Sequence, residues 1–211
     1  MATFPLLSRN LSLNLNPTPR IKYHYQDPLV VPKLASALKE YLSHLNPALS
    51  RPIVVVGIGT DRSTGDSLGP LVGTKLVSYS DLPLAVFGTL EEPVHASNLT
   101  EKLDLIHTNY PSPFIIAIDA CLGHLENVGS ITLAPGPLKP GAGVNKNLPA
   151  VGELHFTGIV NVGGYMEYFV LQNTRLSLVM NMAHQIAQAI YCGVRQAYGL
   201  GENLPVAQGF Q

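Results

Sequence analysis

Two aspartates, Asp66 and Asp119, each follow a short apolar run that reads as a buried strand. The first run is Ile53-Val54-Val55-Val56-Gly57-Ile58-Gly59, followed by the loop Thr60-Asp61-Arg62-Ser63-Thr64-Gly65 that delivers Asp66. The second is Phe114-Ile115-Ile116-Ala117-Ile118, and Asp119 comes next with no spacer. Two carboxylates facing one cavity cannot both ionise cheaply, so one tends to hold a proton while the other stays charged. Such a pair supplies an acid and a base, which can activate water against a peptide carbonyl. The same pair joined by a nearby histidine could instead hold a divalent metal. The structural alternatives are that Asp66 caps the helix beginning at Ser67 and that Asp119 bonds to loop backbone.

The glycines of the first loop invite two other readings. The dinucleotide pattern G-x-G-x-x-G needs a third glycine where Arg62 stands. The phosphate-binding P-loop needs a Gly-Lys-Ser/Thr ending, and Gly65 is followed by Asp66, which would repel a phosphate. Gly65-Asp66-Ser67-Leu68-Gly69 does match G-x-S-x-G and spells the GDSL signature of a class of serine esterases. A Ser67 nucleophile needs a histidine and an orienting acid. Those esterases take both from an Asp-x-x-His near the C-terminus, whereas Asp119 is the last aspartate here and the matching Asp104-Leu105-Ile106-His107 lies mid-chain. A Ser67 esterase is the catalytic alternative. Cys121 would share the Asp119 crevice but reads as a small buried residue, and its spacing to Cys192 suggests neither a disulfide nor a zinc cluster.

The elements that must position these groups follow from periodicity. Apolar positions Leu34, Leu38, Tyr41, Leu42 and Leu45 predict a helix over 32–45 with Pro32 near its start. Strand 53–58, helix 67–79, strand 84–88, helix 97–109, strands 113–118, 129–134 and 154–160 and a long final helix complete the expected order. The alternation implies right-handed crossovers and a mostly parallel sheet, a three-layer α/β/α sandwich whose ligands sit outside the carboxyl ends of the strands. Residues 1–30, with Pro5, Pro17, Pro19 and Pro28, read as an extended N-terminal arm ahead of a single domain over 31–211. The Gly- and Pro-rich stretch 134–149 is a long loop of the kind that is often functional. His184, at the edge of the final helix's apolar stripe, reads as a packing residue.

With 211 residues, 46% hydrophobic and 13% charged, and a net charge of −1, the chain has core for one domain and no basic stripe for nucleic acid. No run approaches the ~20 apolar residues of a membrane span, and the N-terminus lacks a secretory pattern, so a cytoplasmic location is expected.

The motif Gly57-Ile58-Gly59-Thr60-Asp61-Arg62-Ser63-Thr64-Gly65-Asp66-Ser67-Leu68-Gly69-Pro70 resembles the opening motif of the hydrogenase-maturation endopeptidases and of the bacterial spore germination protease. Ile115-Ile116-Ala117-Ile118-Asp119-Ala120 resembles the second motif of that superfamily. Together with Pro140-Gly141-Ala142-Gly143-Val144-Asn145-Lys146 and Thr157-Gly158-Ile159-Val160-Asn161, they look most like the YyaC-type sporulation proteins. The resemblance spans roughly residues 50–197. It implies a HybD-like α/β/α fold and an atypical aspartic peptidase acting through Asp66 and Asp119 on a protein or peptide substrate. In the hydrogenase enzymes a later histidine joins the acidic residues around a nickel ion of the substrate; by order that histidine is His155 here. Thr60, where those enzymes have asparagine, and Gly65, where they have an acid, favour the spore branch. Arg62 or Lys146, with Thr60 and the 59–65 backbone, would stabilise the oxyanion. No cofactor is expected beyond the divalent metal that Asp66, Asp119 and His155 could bind. The alternative outside catalysis is a peptide- or partner-binding protein on the same fold.

Overall fold

The computed structural model describes residues 19–79, 82–141, 148–164 and 166–200. Its centre is a six-stranded sheet in the order β1-β5-β6-β4-β2-β3. These strands are β1 (Ile21–His24), β2 (Ile53–Gly57), β3 (Leu84–Phe87), β4 (Phe114–Gly123), β5 (Ser130–Pro135) and β6 (Leu154–Val162). β3, β2, β4 and β6 pair in parallel, and β5 pairs antiparallel to both β6 and β1. The mostly parallel α/β sheet expected from sequence is what the chain forms.

β2 is buried at every residue, because its β-branched run lies inside the sheet with both faces covered. One face carries α1 (Val30–Leu45), α2 (Leu68–Val77) and α5 (Leu176–Ala197), whose Leu34, Leu38, Val72, Met182 and Ile186 share a core with Val55, Ile116 and Phe156. The other face carries α3 (Leu99–Asn109), whose Leu99 and Ile106 join Leu138 and Val151 over Val54, Val56, Ile115 and Ala117. Strand alternation assigns Asp119 to this second face, with Ile115 and Ala117.

Three elements differ from expectation. β4 does not stop at Ile118: it runs to Gly123, so Asp119 lies within a strand, opposite Thr157 of β6. β6 supplies backbone partners all the way, with one irregularity between Cys121 and Leu122, and a backbone ladder tolerates a polar side chain when the face it meets is a site rather than a core. Inside the stretch read as an arm, Ile21–His24 forms the edge strand β1, half-burying Ile21 and Tyr23 against the core while Lys22 and His24 face water. A short helix, α4 (Glu167–Gln172), precedes α5; its six residues carry too little periodicity to be read from sequence.

Candidate active site

The site grows from the end of β2. Ile58 N–H donates to the Ile118 carbonyl (2.7 Å) and Gly59 N–H to the Val94 carbonyl (2.8 Å), tying this loop to β4 on one side and to the segment after β3 on the other. Gly59 then takes φ +138°, a conformation L side chains rarely adopt, and a Cβ there would stand 1.9 Å from the Asp66 carbonyl oxygen. Thr60 N–H closes the loop by donating to that same oxygen (3.1 Å). Asp66 is thus fixed at the neck of the 60–65 loop, in a 3-10 turn (Gly65–Ser67) that leads into α2. The cap positions of this turn and of α2 fall on Thr64 and Ser67, and neither makes a side-chain cap bond, so Asp66 is not serving as the helix cap.

Asp119 comes to the same place from β4 and is 9% exposed. Burial, then the neighbouring charge of Asp66, push its carboxyl well above the ordinary range, with the Ala120 amide opposing. Asp66 is also raised by burial, but the Thr60 amide and the charge of His95 pull it back. The two carboxyls are therefore close enough to share a field and unequal in burial, and both are raised, Asp119 the more strongly. A proton-holding acid beside a carboxylate base is the arrangement that activates water.

The remaining predicted residues divide. Thr60 stands at the neck of the loop, half-buried, its hydroxyl accepting from the Arg62 amide (3.3 Å). The Arg62 side chain is exposed, and neither carboxyl feels its charge. Lys146 lies outside the described residues. Ser67 is 5% exposed and its hydroxyl donates to the Thr64 carbonyl (2.7 Å), while Asp104 and His107 sit exposed on α3, so the parts of a serine esterase are not brought together. The Cys121 thiol is pushed up to about 11 by burial first and by Asp119 second, which leaves it a protonated, inert group at neutral pH.

His155 lies in β6 opposite Ala117, two residues before the Asp119–Thr157 pair and so about 7 Å back along the sheet. Its Nδ1 faces the Gly136 carbonyl (2.8 Å), which can only accept, so Nδ1 carries the proton. Among the described residues no three His, Cys, Asp or Glu side chains converge as a metal would require. His155 thus stands one strand repeat from Asp119, its Nδ1 engaged by loop backbone and its Nε2 left as the second ring nitrogen.

The histidine that acts on Asp66 is His95, which sequence reasoning passed over. It follows Val94, which pairs in parallel with Ile58 beyond the end of β3. The available signal was positional: the β3–α3 connection opens at the carboxyl edge of the same sheet and contains a histidine three residues before an asparagine at a helix start. In the 60–65 loop, Ser63 is 8% exposed and its hydroxyl has no hydrogen-bond partner among the described residues.

Fold and site together define an α/β/α protein that presents an unequal carboxylate pair at the carboxyl edge of a mostly parallel sheet. The chain belongs to the family described as "Protein of unknown function (DUF1256)", whose model matches residues 22–189. It is 61% identical over 148 residues to "Uncharacterized protein YyaC" of Bacillus subtilis (strain 168), covering 70% of this chain and 72% of that protein. Among solved structures it is similar to the [NiFe] hydrogenase maturation protease HycI from Thermococcus kodakarensis KOD1. That likeness has 17% identity and a TM-score of 0.47, over 74% of this chain and 96% of that one.

Proposed function

We propose that this protein is a peptidase of the germination-protease type, acting on a protein or peptide substrate during sporulation, inside the sporulating cell. The observation that carries the reading is the convergence of the pair: Asp119, 9% exposed on β4, lies within the field of Asp66 from the turn after β2, and burial raises both carboxyls. In the reaction, Asp66 takes a proton from a water molecule as the water oxygen bonds to the scissile carbonyl carbon. Asp119 gives its proton to the carbonyl oxygen; on collapse that hydroxyl returns its proton to Asp119 as the C–N bond breaks, and the leaving amine takes the proton from Asp66, restoring both groups. With the amides of Gly59, Thr60 and Arg62 engaged within the fold, the other backbone N–H groups of the 59–65 loop are left to assist the oxyanion, and Thr60 is tied to Asp66 through its amide. The sporulation setting is supported by the likeness of the Gly57–Pro70, Ile115–Ala120 and Pro140–Lys146 motifs to the YyaC-type branch. No helix among the described residues is long and apolar enough to cross a membrane.

The test is peptide-level mass spectrometry of a spore-protein extract incubated with wild type, Asp66→Asn, Asp119→Asn and Ser67→Ala. Cleavages that disappear with either aspartate change and persist in Ser67→Ala support the carboxylate peptidase. Cleavages lost in Ser67→Ala alone would transfer the chemistry to the serine. Stoichiometric peptide binding without any cleavage would replace the peptidase with a binding protein.

A further inference from the structure

More than half of the large apolar side chains left exposed among the described residues fall between positions 162 and 180: Val162, Met166, Tyr168, Phe169, Leu176 and Met180. The end of β6, α4 and the first turns of α5 carry them. Met166 is 67% and Tyr168 66% exposed, so these are not core residues glimpsed at an edge. Scattered apolar side chains on a surface need no explanation, whereas a cluster of this kind marks an interaction surface. Glu167 and Arg175, the charged residues of the stretch, are of opposite sign, so the surface selects neither an acid nor a base.

This surface is built onto the turn that holds Asp66. A Cβ on Gly65 would stand 2.7 Å from Leu171 Cδ2 and 2.9 Å from Thr174 Oγ1, so a glycine beside Asp66 is what lets α4 approach this far. Asn161, near the end of β6, ties α4 from the other side: its Nδ2 donates to Val170 O and to Thr174 Oγ1 (3.2 Å each), and the Thr174 hydroxyl donates to Val170 O (2.9 Å). Leu171 packs against the main core. With Leu171 turned inward, helical spacing puts Phe169 on the outer side of α4 and Tyr168 on its flank. Their rings meet edge to face, with centroids 5.9 Å apart.

We propose that this apolar shelf holds the peptide substrate: an extended segment carrying a large apolar side chain lies on Met166, Tyr168 and Phe169, close to the bond presented to Asp66 and Asp119. The role rests on the peptidase reading given above and names the substrate class for that site. A helix with its side chains is about 10 Å across, and an extended peptide covers that distance in about three residues. The selected side chain therefore stands within about three residues of the scissile bond.

Placement argues for a substrate segment over other occupants. The shelf is continuous with the carboxylate site, because α4 and the start of α5 pack against the same turn that carries Asp66. A second copy of this chain seated on α4 would also stand over that turn and close it, whereas a segment lying along α4 feeds it. Tyr168 and Phe169 supply large contact area with few side-chain rotations to freeze, as the anchors of peptide and protein recognition sites do.

The experiment measures binding without turnover. The full chain carrying Asp66→Asn is immobilised and offered an equimolar set of end-capped peptides Gly-Ser-X-Ala-Ser-Gly, with X phenylalanine, leucine, serine, glutamate or lysine, and the retained fraction of each is read by mass spectrometry. The phenylalanine and leucine peptides should be retained at least ~5-fold over the other three, the effect of partly burying one such side chain. Adding Tyr168→Ser and Phe169→Ser together should reduce that preference below ~2-fold, and Met166→Ser, made separately ahead of α4, should lower it as well. Leu105→Ser, an exposed leucine of α3 on the opposite face of the sheet, leaves it intact, and circular dichroism checks that each variant is folded. An absent preference, or one that survives both the double change and Met166→Ser, overturns the assignment. So does a dimer in sedimentation that dissociates in the double variant, which would give the shelf to a second copy. Because nothing is cleaved in the assay, a lost preference strikes the shelf alone, whereas a clear preference with no cleavage by the wild type strikes the peptidase.

Discussion

Replacing Gly59 with alanine tests whether the loop geometry that holds Asp66 is set by this one residue. The alanine Cβ would start 1.9 Å from the Asp66 carbonyl oxygen and 3.3 Å from Pro70 Cδ. Real Cβ atoms essentially never approach closer than 3.0 Å, so either Asp66 retreats by about 1.1 Å or Gly59 abandons φ +138°. Backbone strain of this kind costs about 1–3 kcal/mol. Forcing an atom into a filled space adds about 1–3 kcal/mol more. The expected loss is therefore about 2–6 kcal/mol, roughly 4–24 °C in Tm for a domain of this size. Gly136→Ala provides the comparison, because Gly136 has φ +93° and nothing within 4 Å of the added atom, so only the strain remains. Urea unfolding followed by circular dichroism measures both variants, and a pH titration of the Asp66 side-chain carboxyl by 13C NMR, assigned with Asp66→Asn, reports whether that carboxyl has moved. The reasoning holds if Gly59→Ala is the more damaging by at least ~1 kcal/mol and the Asp66 titration changes. It fails if the two variants unfold alike, or if Gly59→Ala leaves Asp66 titrating as in the wild type. A 1 Å displacement of a reacting group can cost on the order of 100-fold in rate, so cleavage should fall with it.

Two further outcomes follow from the charges. Because burial and Asp66 raise the Asp119 carboxyl in the folded chain, its contribution to stability is fully present below the unfolded carboxyl value and is lost as pH rises through the folded one. Asp119→Asn mimics the protonated side chain, so the variant should gain stability over wild type as pH increases from 3 to 7 while losing activity; a gain that shrinks with pH in unfolding curves would refute this. Cys121, with its thiol pushed up to about 11, should be alkylated by iodoacetamide at pH 8 far more slowly than a free cysteine, read by mass spectrometry of the labelled peptide. Rapid labelling at Cys121 would show that the thiol is neither buried nor repelled by Asp119.

The match between sequence and structure is closest where a property is local. The apolar runs of β2, β4 and β6 and the stripe of α5 report burial on one or both faces directly, so the order of elements and the parallel sheet could be read from them. Edge strand β1 escaped because four residues with only two packed side chains look like any irregular segment until β5 is there to pair with them. β4 looked shorter than it is because Asp119 interrupts its apolar run, although Ala120-Cys121-Leu122-Gly123 continues the pairing with β6 across one irregularity.

What the sequence by itself determined was the inventory: two carboxylates after two buried strands, and a glycine-rich turn between the first strand and its helix. Their partners belonged to tertiary structure. Order along the chain favoured His155, but strand pairing carries it one repeat away from Asp119 and gives its Nδ1 to Gly136. The bridge between Ile58 and Val94, joining segments 36 positions apart, instead brings the segment bearing His95 alongside the loop that holds Asp66, and the charge of His95 lowers that carboxyl. The inequality of the two aspartates was equally out of reach, because it depends on how much water and which charges each meets, and only the folded chain fixes those distances.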